Sequence, residues 1–213
     1  MANPYKELFH APGTLAFSLS GLIARLPISM TGIGIITMIS QISGSYWLAG
    51  AVAATFTLAT ALVAPQISRL TDRYGQGRIL PLAAAISVLG MVLLLACVHL
   101  AAPDWTLFLF AALAGFMPSM PAMVRARWTH IYKGQPALHT AYSLESVLDE
   151  VCFIVGPPIA VGLSVAVSPI AGPFAAAVML AVGISFFSLQ KKPNPRFPIK
   201  LNISKDLRLN LSP

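Results

Sequence analysis

Long apolar stretches separated by short polar segments dominate the sequence. The hydrocarbon core of a bilayer is about 30 Å thick, and a helix needs about 20 residues to cross it. Because only helices and closed barrels satisfy their backbone hydrogen bonds inside lipid, apolar stretches of this length predict membrane-spanning helices. Six stretches qualify, at residues 15–39, 47–67, 79–100, 105–124, 147–167 and 170–189.

Basic residues lie in alternate gaps between these stretches. Residues 69–78 and 125–133 each contain three Lys or Arg, whereas residues 40–46, 101–104 and 168–169 contain none. Short loops rich in Lys and Arg remain on the cytoplasmic side of a membrane. The pattern therefore predicts a multi-pass protein of the cell membrane, the inner membrane in a bacterium, with both termini in the cytoplasm.

The composition agrees with a membrane protein and excludes a soluble domain. Hydrophobic residues make up 56% of the chain and charged residues 10%, whereas soluble domains carry about 25% charged residues. The net charge of +7 follows from the basic loops and a basic tail, so we expect no nucleic-acid partner. Cys97 and Cys152 lie inside apolar stretches, and the histidines lack metal-ligand spacing. We therefore expect no metal and no cofactor.

The last part of the chain differs from the rest. Residues 191–198 are basic and contain three prolines, and proline at this frequency prevents a helix from continuing. The polar residues that follow cannot bury a core. We therefore divide the chain into a transmembrane bundle, residues 1–190, and a basic, proline-rich, disordered cytoplasmic tail, residues 191–213.

The segment after the second span narrows the choice of family. Glycines at positions 75 and 77 permit a tight turn. The segment resembles the signature of the major facilitator superfamily, Gly-x-Leu-Ala-Asp-Arg-x-Gly-Arg-Arg/Lys. The positions in register are Leu70, Asp72, Arg73 and Gly75, with Arg78 keeping a cation before the third span; the departures are Ser68, Thr71, Gln76 and Gly77.

The resemblance implies an all-α membrane fold in which six transmembrane helices, as two inverted three-helix repeats, form one half of a twelve-span transporter. It also implies a role for this segment, which in the superfamily is held to stabilise the outward-facing state. On this hypothesis Asp72, Arg73, Gly75 and Arg78 form a conformational latch. Glu145 belongs to it as well and lies near the cytoplasmic surface, within reach of Arg73, Arg78 or Arg125. The alternative is a solvated turn whose arginines only set the topology.

The fifth predicted span contains a second, partial resemblance. Gly156 and Pro157 match the core of the Gly-x-x-x-Gly-Pro-x-x-Gly-Gly pattern that is common in proton-driven drug antiporters of the superfamily, whereas Cys152 and Ala160 depart from it. Glycine allows close helix approach, and proline bends a helix because it removes a backbone donor. We expect a kink at these residues, with either a transport role or a packing role only.

Charged residues inside the predicted spans are the candidates for a substrate or proton pathway. Arg25 lies near the middle of the first span, where a cation costs about 2.5–3.5 kcal/mol on insertion scales. It should therefore face a polar cavity or an acid. Asp149 and Glu150 enter the fifth span, and burial there would favour a protonated carboxyl that carries a proton. The sequence does not choose between the two acids, and a purely structural ion pair is the alternative.

Three function classes follow. The first is a secondary active transporter of small molecules, with proton-coupled efflux as the expected mode. As a half-length chain it would be inactive alone and would pair with a second six-helix half or with a copy of itself. The second is a non-transporting membrane scaffold, a regulatory subunit or a gene fragment. An intramembrane enzyme is disfavoured, because His99 is the one histidine in a predicted span and no serine nucleophile accompanies it.

Overall fold

The computed structural model describes Tyr5 and residues 8–190, and the prediction for residues 191–213 lies outside this part of the chain. The described residues form helices and no strands. The seven helices are α1 (Thr14–Ser43), α2 (Tyr46–Tyr74), α3 (Gln76–His99), α4 (Asp104–Ala114), α5 (Met120–Tyr132), α6 (Ala137–Ala166) and α7 (Ala171–Leu189). Five of them, α1, α2, α3, α6 and α7, are long and apolar enough to cross a membrane, and α4 is a shorter apolar helix.

The prediction of one continuous helix over residues 105–124 is wrong, because the chain breaks between α4 and α5. Pro118 stands where a helix would need an N–H for the carbonyl of Ala114, and proline has none. The hydroxyl of Ser87, on α3, donates to that carbonyl instead, at 2.5 Å. A neighbouring helix thus satisfies the backbone group that the break exposes.

Two helices extend further than the apolar stretches predict. The α2 helix runs on to Tyr74, and α6 begins at Ala137, although apolar character predicted an end at residue 67 and a start at residue 147. The end of an apolar stretch shows where the chain leaves the lipid, and it does not show where the helix ends. Arg and Glu are good helix formers, so a helix can continue through them into water. Most of the two predicted basic loops is therefore helical.

The α1 helix occupies the centre of the bundle. It packs against α2, α5, α6 and α7. More than half of the most apolar 18-residue segment of α1 is buried, compared with about a sixth of the corresponding segment of α6. Small residues on α1, among them Gly21, Ala24 and Ser29, are buried in these contacts. Small side chains allow helix backbones to approach closely in a membrane protein, which explains why α1 accommodates several neighbours.

One contact between α1 and α6 fixes how the two helices face each other. A Cβ atom added at Gly156 would collide with Oγ of Ser29. The Ser29 hydroxyl also donates across the interface to the carbonyl of Cys152, at 2.9 Å. Glycine at position 156 is therefore required for this close approach. The α6 helix runs through Pro157 without interruption, and the expected kink stays a prediction.

Candidate functional site

Arg25 lies in the middle of the bundle rather than at its surface. It belongs to α1, and its side chain is 1% exposed. The close contact of α1 with α6 turns Arg25 toward the acidic residues in the first half of α6. A buried guanidinium needs partners for its charge and for its five N–H groups.

Two acids on α6 supply those partners. The Nη2 group of Arg25 forms an ion pair with Oε2 of Glu145, which is fully buried. The Nη1 group donates to Oδ1 of Asp149 at 2.9 Å and to the Glu145 carbonyl at 3.3 Å. The two acids are four residues apart and share a helix face. The Nε atom of Arg25 has no hydrogen-bond partner.

The α5 helix completes the arrangement. The indole Nε1 of Trp128 donates to Oε1 of Glu145 at 2.8 Å, and Nη2 of Arg125 pairs with Oδ2 of Asp149 at 2.6 Å. We call Arg25, Arg125, Glu145 and Asp149 the buried charge cluster. Its two cations and two anions balance, and it joins α1, α5 and α6.

The side chains of the cluster differ in the fraction of their surface that is exposed. Arg25 and Glu145 are 1% and 0% exposed, whereas Asp149 is 19% and Arg125 is 37% exposed. The Asp149–Arg125 pair is therefore the more exposed part of the cluster, and the Arg25–Glu145 pair is its buried part.

The sequence did not choose between Asp149 and Glu150, and the structure shows which of them faces Arg25. It brings Asp149 against Arg25, whereas Glu150 is exposed on another face of α6. The expectation that Glu145 lies near the surface within reach of Arg73 or Arg78 is wrong. Helix α6 begins early enough to place Glu145 one turn before Asp149 on the buried face, where Arg25 offsets the cost of its charge.

The predicted latch segment is mostly the end of α2 and the start of α3. Gly75, with φ of 89°, is the one residue between the two helices, and its N–H donates to the Thr71 carbonyl at 2.8 Å. A positive φ of this size favours glycine. Asp72, Arg73 and Arg78 are exposed. Within the described part of the chain, all the ion pairs belong to the buried charge cluster, so these three side chains form none.

A cavity of about 220 Å³ lies behind this turn, where α5 faces the α2–α3 junction. The side chain of Gln76 crosses beside it and donates to the Met123 carbonyl at 3.3 Å. This contact brings the predicted latch and the arginines of α5 to one end of the bundle, which we call the basic end. The residues that line the cavity are Thr71, Asp72, Gly75, Gln76, Ala126, Arg127 and His130.

Arg127, one of the three cations in residues 125–133, carries a buried guanidinium. Its Nε donates to Gln76 Oε1 at 3.0 Å, its Nη2 donates to the Phe187 carbonyl at 2.8 Å, and its guanidinium carbon lies 3.5 Å from the centre of the Phe187 ring. Burial lowers the pKa of Arg127 to about 10, so the group stays charged at neutral pH. It joins the ends of α3, α5 and α7, and its helical spacing from Arg125 was the available signal that the two arginines face different neighbours.

An aromatic stack covers the cluster at the basic end. The Trp128 ring lies 4.7 Å from Phe17 and 5.8 Å from Tyr132, measured between ring centres. The hydroxyl of Tyr132 donates to the Leu8 carbonyl at 2.8 Å, and Phe9 packs edge-on against Trp128. Burial raises the pKa of Tyr132, so the phenol keeps the proton that it donates. The stack separates Glu145 from solvent on this side.

The comparison with protein families decides the identity of this helical bundle. The model of the Major Facilitator Superfamily matches residues 17–209. The chain belongs to the major facilitator superfamily. This confirms the resemblance seen in the α2–α3 segment. The search of curated proteins returns no match.

Membership of the major facilitator superfamily fixes the general function. Its members are transporters rather than enzymes, they bind small-molecule substrates, and they lie in the lipid bilayer. The apolar helices agree with a membrane-embedded chain. The buried charge cluster is therefore a set of ionisable groups inside a member of a transporter family.

Proposed function

We propose that the chain is a six-span bundle of a proton-coupled secondary transporter that exports a small molecule. In this proposal α4 and α5 together make the fourth crossing, and the bundle consists of two inverted three-helix repeats. The basic end faces the cytoplasm, as do both termini, because basic segments remain on that side. The second wall of the transport cavity comes from another six-span unit, in the same polypeptide, in a partner or in a second copy of this chain.

The buried charge cluster carries this proposal. Asp149 accepts one guanidinium N–H on each carboxylate oxygen, from Arg25 and from Arg125. A proton on Asp149 would neutralise the carboxylate and weaken both contacts. Arg25 would keep its pair with Glu145, whereas the link between α5 and α6 through Arg125 would open. A proton would thus be converted into a change in helix contacts, which is what coupling requires.

The exposed charges of the α2–α3 turn have a different proposed role. Asp72, Arg73 and Arg78 have no ion-pair partner within the described residues, and Gly75 holds the turn that presents them. We assign them to a latch whose partner groups belong to the second six-span unit. The bundle without that unit would lack one wall of the cavity and would therefore be unable to alternate its access.

Flux measurements in proteoliposomes test the proposal. The chain would be reconstituted alone and with a second six-span unit, and a panel of organic cations, sugars and carboxylates would be assayed with and without a pH gradient. We expect gradient-dependent flux only in the paired preparation. Asp149→Asn should abolish the dependence on the gradient, and Glu150→Gln is the matched control, since Glu150 is the adjacent acid but exposed.

The outcomes separate the function classes. Flux that ignores the pH gradient in every preparation would contradict proton coupling but not transport. The absence of flux in both preparations, with folded protein, would favour a scaffold or regulatory subunit. Flux from the chain alone would mean that a second copy supplies the second unit, and flux from a chain that cross-linking shows to be monomeric would contradict the need for one.

A further inference from the structure

The two acids of the buried charge cluster differ in the donors that hold them. Glu145 accepts an N–H on each oxygen, from Trp128 on Oε1 and from Arg25 on Oε2, and all three side chains are fully or almost fully buried. Donors on both oxygens favour the ionised carboxylate. A proton on either oxygen would displace a buried donor, the indole of Trp128 or the guanidinium of Arg25, and leave it without an acceptor.

Asp149 also accepts two N–H groups, but one of its donors can leave. Arg125 is 37% exposed, so its guanidinium can turn into water when Asp149 takes a proton. A guanidinium that turns into water regains hydration, which offsets part of the lost contact. Asp149 can therefore lose one of its two donors more readily than Glu145 can.

The remaining ionisable groups around the cluster are few. Arg25 faces both acids from α1, and Arg125 faces Asp149 from α5. On α6 itself, Cys152 follows Asp149 by three residues and is buried, whereas Glu150 is exposed. Among the described residues, Trp128 is the one neutral side chain that donates to a cluster carboxylate, and none of their ionisable groups donates to the same oxygen of Glu145.

We propose that Trp128 is a positioning residue, whose indole N–H keeps Glu145 ionised and turned toward Arg25, so that Asp149 is the acid that takes the proton. The inference rests on the proposed proton-coupled function and names which carboxylate carries the proton and what prevents the other from doing so. The aromatic stack of Phe17, Trp128 and Tyr132 supports this role because it holds the indole ring in place.

The indole proton itself provides a direct test. The chain has three tryptophans, and Trp47 and Trp105 are 77% and 66% exposed, so a Trp47→Phe/Trp105→Phe variant leaves Trp128 as the single indole. Its ¹⁵N–¹H resonance would be followed through a pH titration of the chain in lipid nanodiscs. We expect a resonance protected from solvent exchange that stays at its hydrogen-bonded position throughout the Asp149 titration and moves in Glu145→Leu.

Two results would overturn the inference in that experiment. One is a resonance that moves to the position of a free indole as Asp149 titrates, because Glu145 would then be taking the proton. The other is a resonance that is unchanged by Glu145→Leu, which removes the acceptor altogether, because the indole would then not be bonded to Glu145. Neither result requires a substitution at Trp128, so the test does not depend on the folding of such a variant.

A second measurement detects the consequence of losing the donor. Asp149→Asn leaves Glu145 as the acid of the cluster, and its protonation can be followed by the infrared band of a carboxylic acid. Adding Trp128→Phe should raise the pH midpoint of that band by about one to two units, the tenfold to hundredfold change in proton affinity expected for one hydrogen bond to a charged group. Tyr132→Phe is the matched control, because it removes a hydroxyl from the same stack without touching Glu145.

Equal pH midpoints in the Trp128→Phe and Tyr132→Phe variants would contradict the positioning role. Both substitutions would then act only by loosening the aromatic stack. Neither spectroscopic measurement depends on flux. If the spectra behave as expected while flux ignores the pH gradient, the proposed function fails and the assignment of Trp128 stands. If flux requires Asp149 but the Trp128 resonance moves to the position of a free indole as Asp149 titrates, the assignment of Trp128 fails and the proposed function stands.

Discussion

The buried charge cluster and the α2–α3 turn are built from the same residue types but differ in surroundings. The cluster holds two arginines and two acids between α1, α5 and α6, and its inner pair has almost no contact with solvent. The turn holds Asp72, Arg73 and Arg78 at the exposed basic end, where they have no ion pair within the described residues. The turn contains the clearer family motif, whereas the cluster is expected to have the larger effect on the stability of the bundle.

This difference separates two ways in which a charged residue can matter. A buried ion costs several kcal/mol unless its partner remains, so the cluster must contribute to the folding of the bundle itself. Exposed charges contribute little to stability, so any role of these charges must come from what they do with a partner. Substitutions should therefore affect stability in one region and function in the other.

The largest expected effect is at Arg25. Arg25→Met leaves Glu145 buried without a cation and should lower the free energy of unfolding by about 3–5 kcal/mol, measured by titration with a denaturing detergent and circular dichroism. Arg73→Met, an exposed control, should change it by about 0.5 kcal/mol or less. Adding Glu145→Met to Arg25→Met should recover part of the loss. Equal losses at Arg25 and Arg73 would remove the distinction between the two regions.

The next effect is at the contact that turns α1 and α6 toward each other. Gly156→Ala places a methyl group against Ser29 Oγ and should destabilise the bundle by about 1–3 kcal/mol. Gly162→Ala, on the same helix with open space around it, should be neutral or stabilising by up to about 1 kcal/mol. The same unfolding titration measures both. Similar outcomes at the two glycines would mean that the interface is loose enough to shift.

A smaller effect is expected where α4 ends. Ser87→Ala removes the donor to the Ala114 carbonyl and should cost about 1 kcal/mol. Ser185→Ala is the control, because that exposed hydroxyl donates within its own helix. Combining Ser87→Ala with Pro118→Ala should reduce the loss, because alanine supplies a backbone N–H where proline has none. If the double variant lost as much stability as the sum of the single ones, the account of the break would be wrong.

The smallest effect on stability is expected at the turn. Asp72→Asn should change the free energy of unfolding by about 0.5 kcal/mol or less, yet it should abolish flux in the paired preparation if the latch proposal holds. Asp104→Asn, an exposed acid at the other end of the bundle, serves as the control for both measurements. Normal flux in Asp72→Asn would leave the turn as a solvated connection.

Hydropathy predicted the apolar helices because the length needed to cross a bilayer is a property of each stretch alone. It could not predict that α4 and α5 separate, since the cost of the break depends on Ser87 of a neighbouring helix. The prolines at 118 and 121 were the available warning. Helix ends were underestimated for a related reason: polar residues stop a membrane span without stopping a helix.

The site was predictable only in part. The cost of a buried cation drew attention to Arg25, and Asp149 was one of the two acids considered. The sequence could not choose between Asp149 and Glu150, because the choice depends on the rotation of α6 about its axis. The contact of Gly156 with Ser29 sets that rotation, and it is visible only in the packed structure. Glu145 was misplaced because its distance from the apolar stretch was taken as distance from the core.

The pairing of Arg25 with Glu145 also has a consequence for how the protein is made. The two residues are 120 positions apart, so at about 5–20 residues per second the ribosome adds the acid roughly 6–24 s after the cation. During that interval the first helix carries a charge that the bilayer interior disfavours by about 2.5–3.5 kcal/mol. The α1 helix must stay beside the insertion machinery, or hold its guanidinium near the headgroups, until α6 is inserted. The packing of α1 into the bundle is therefore a late step in biogenesis.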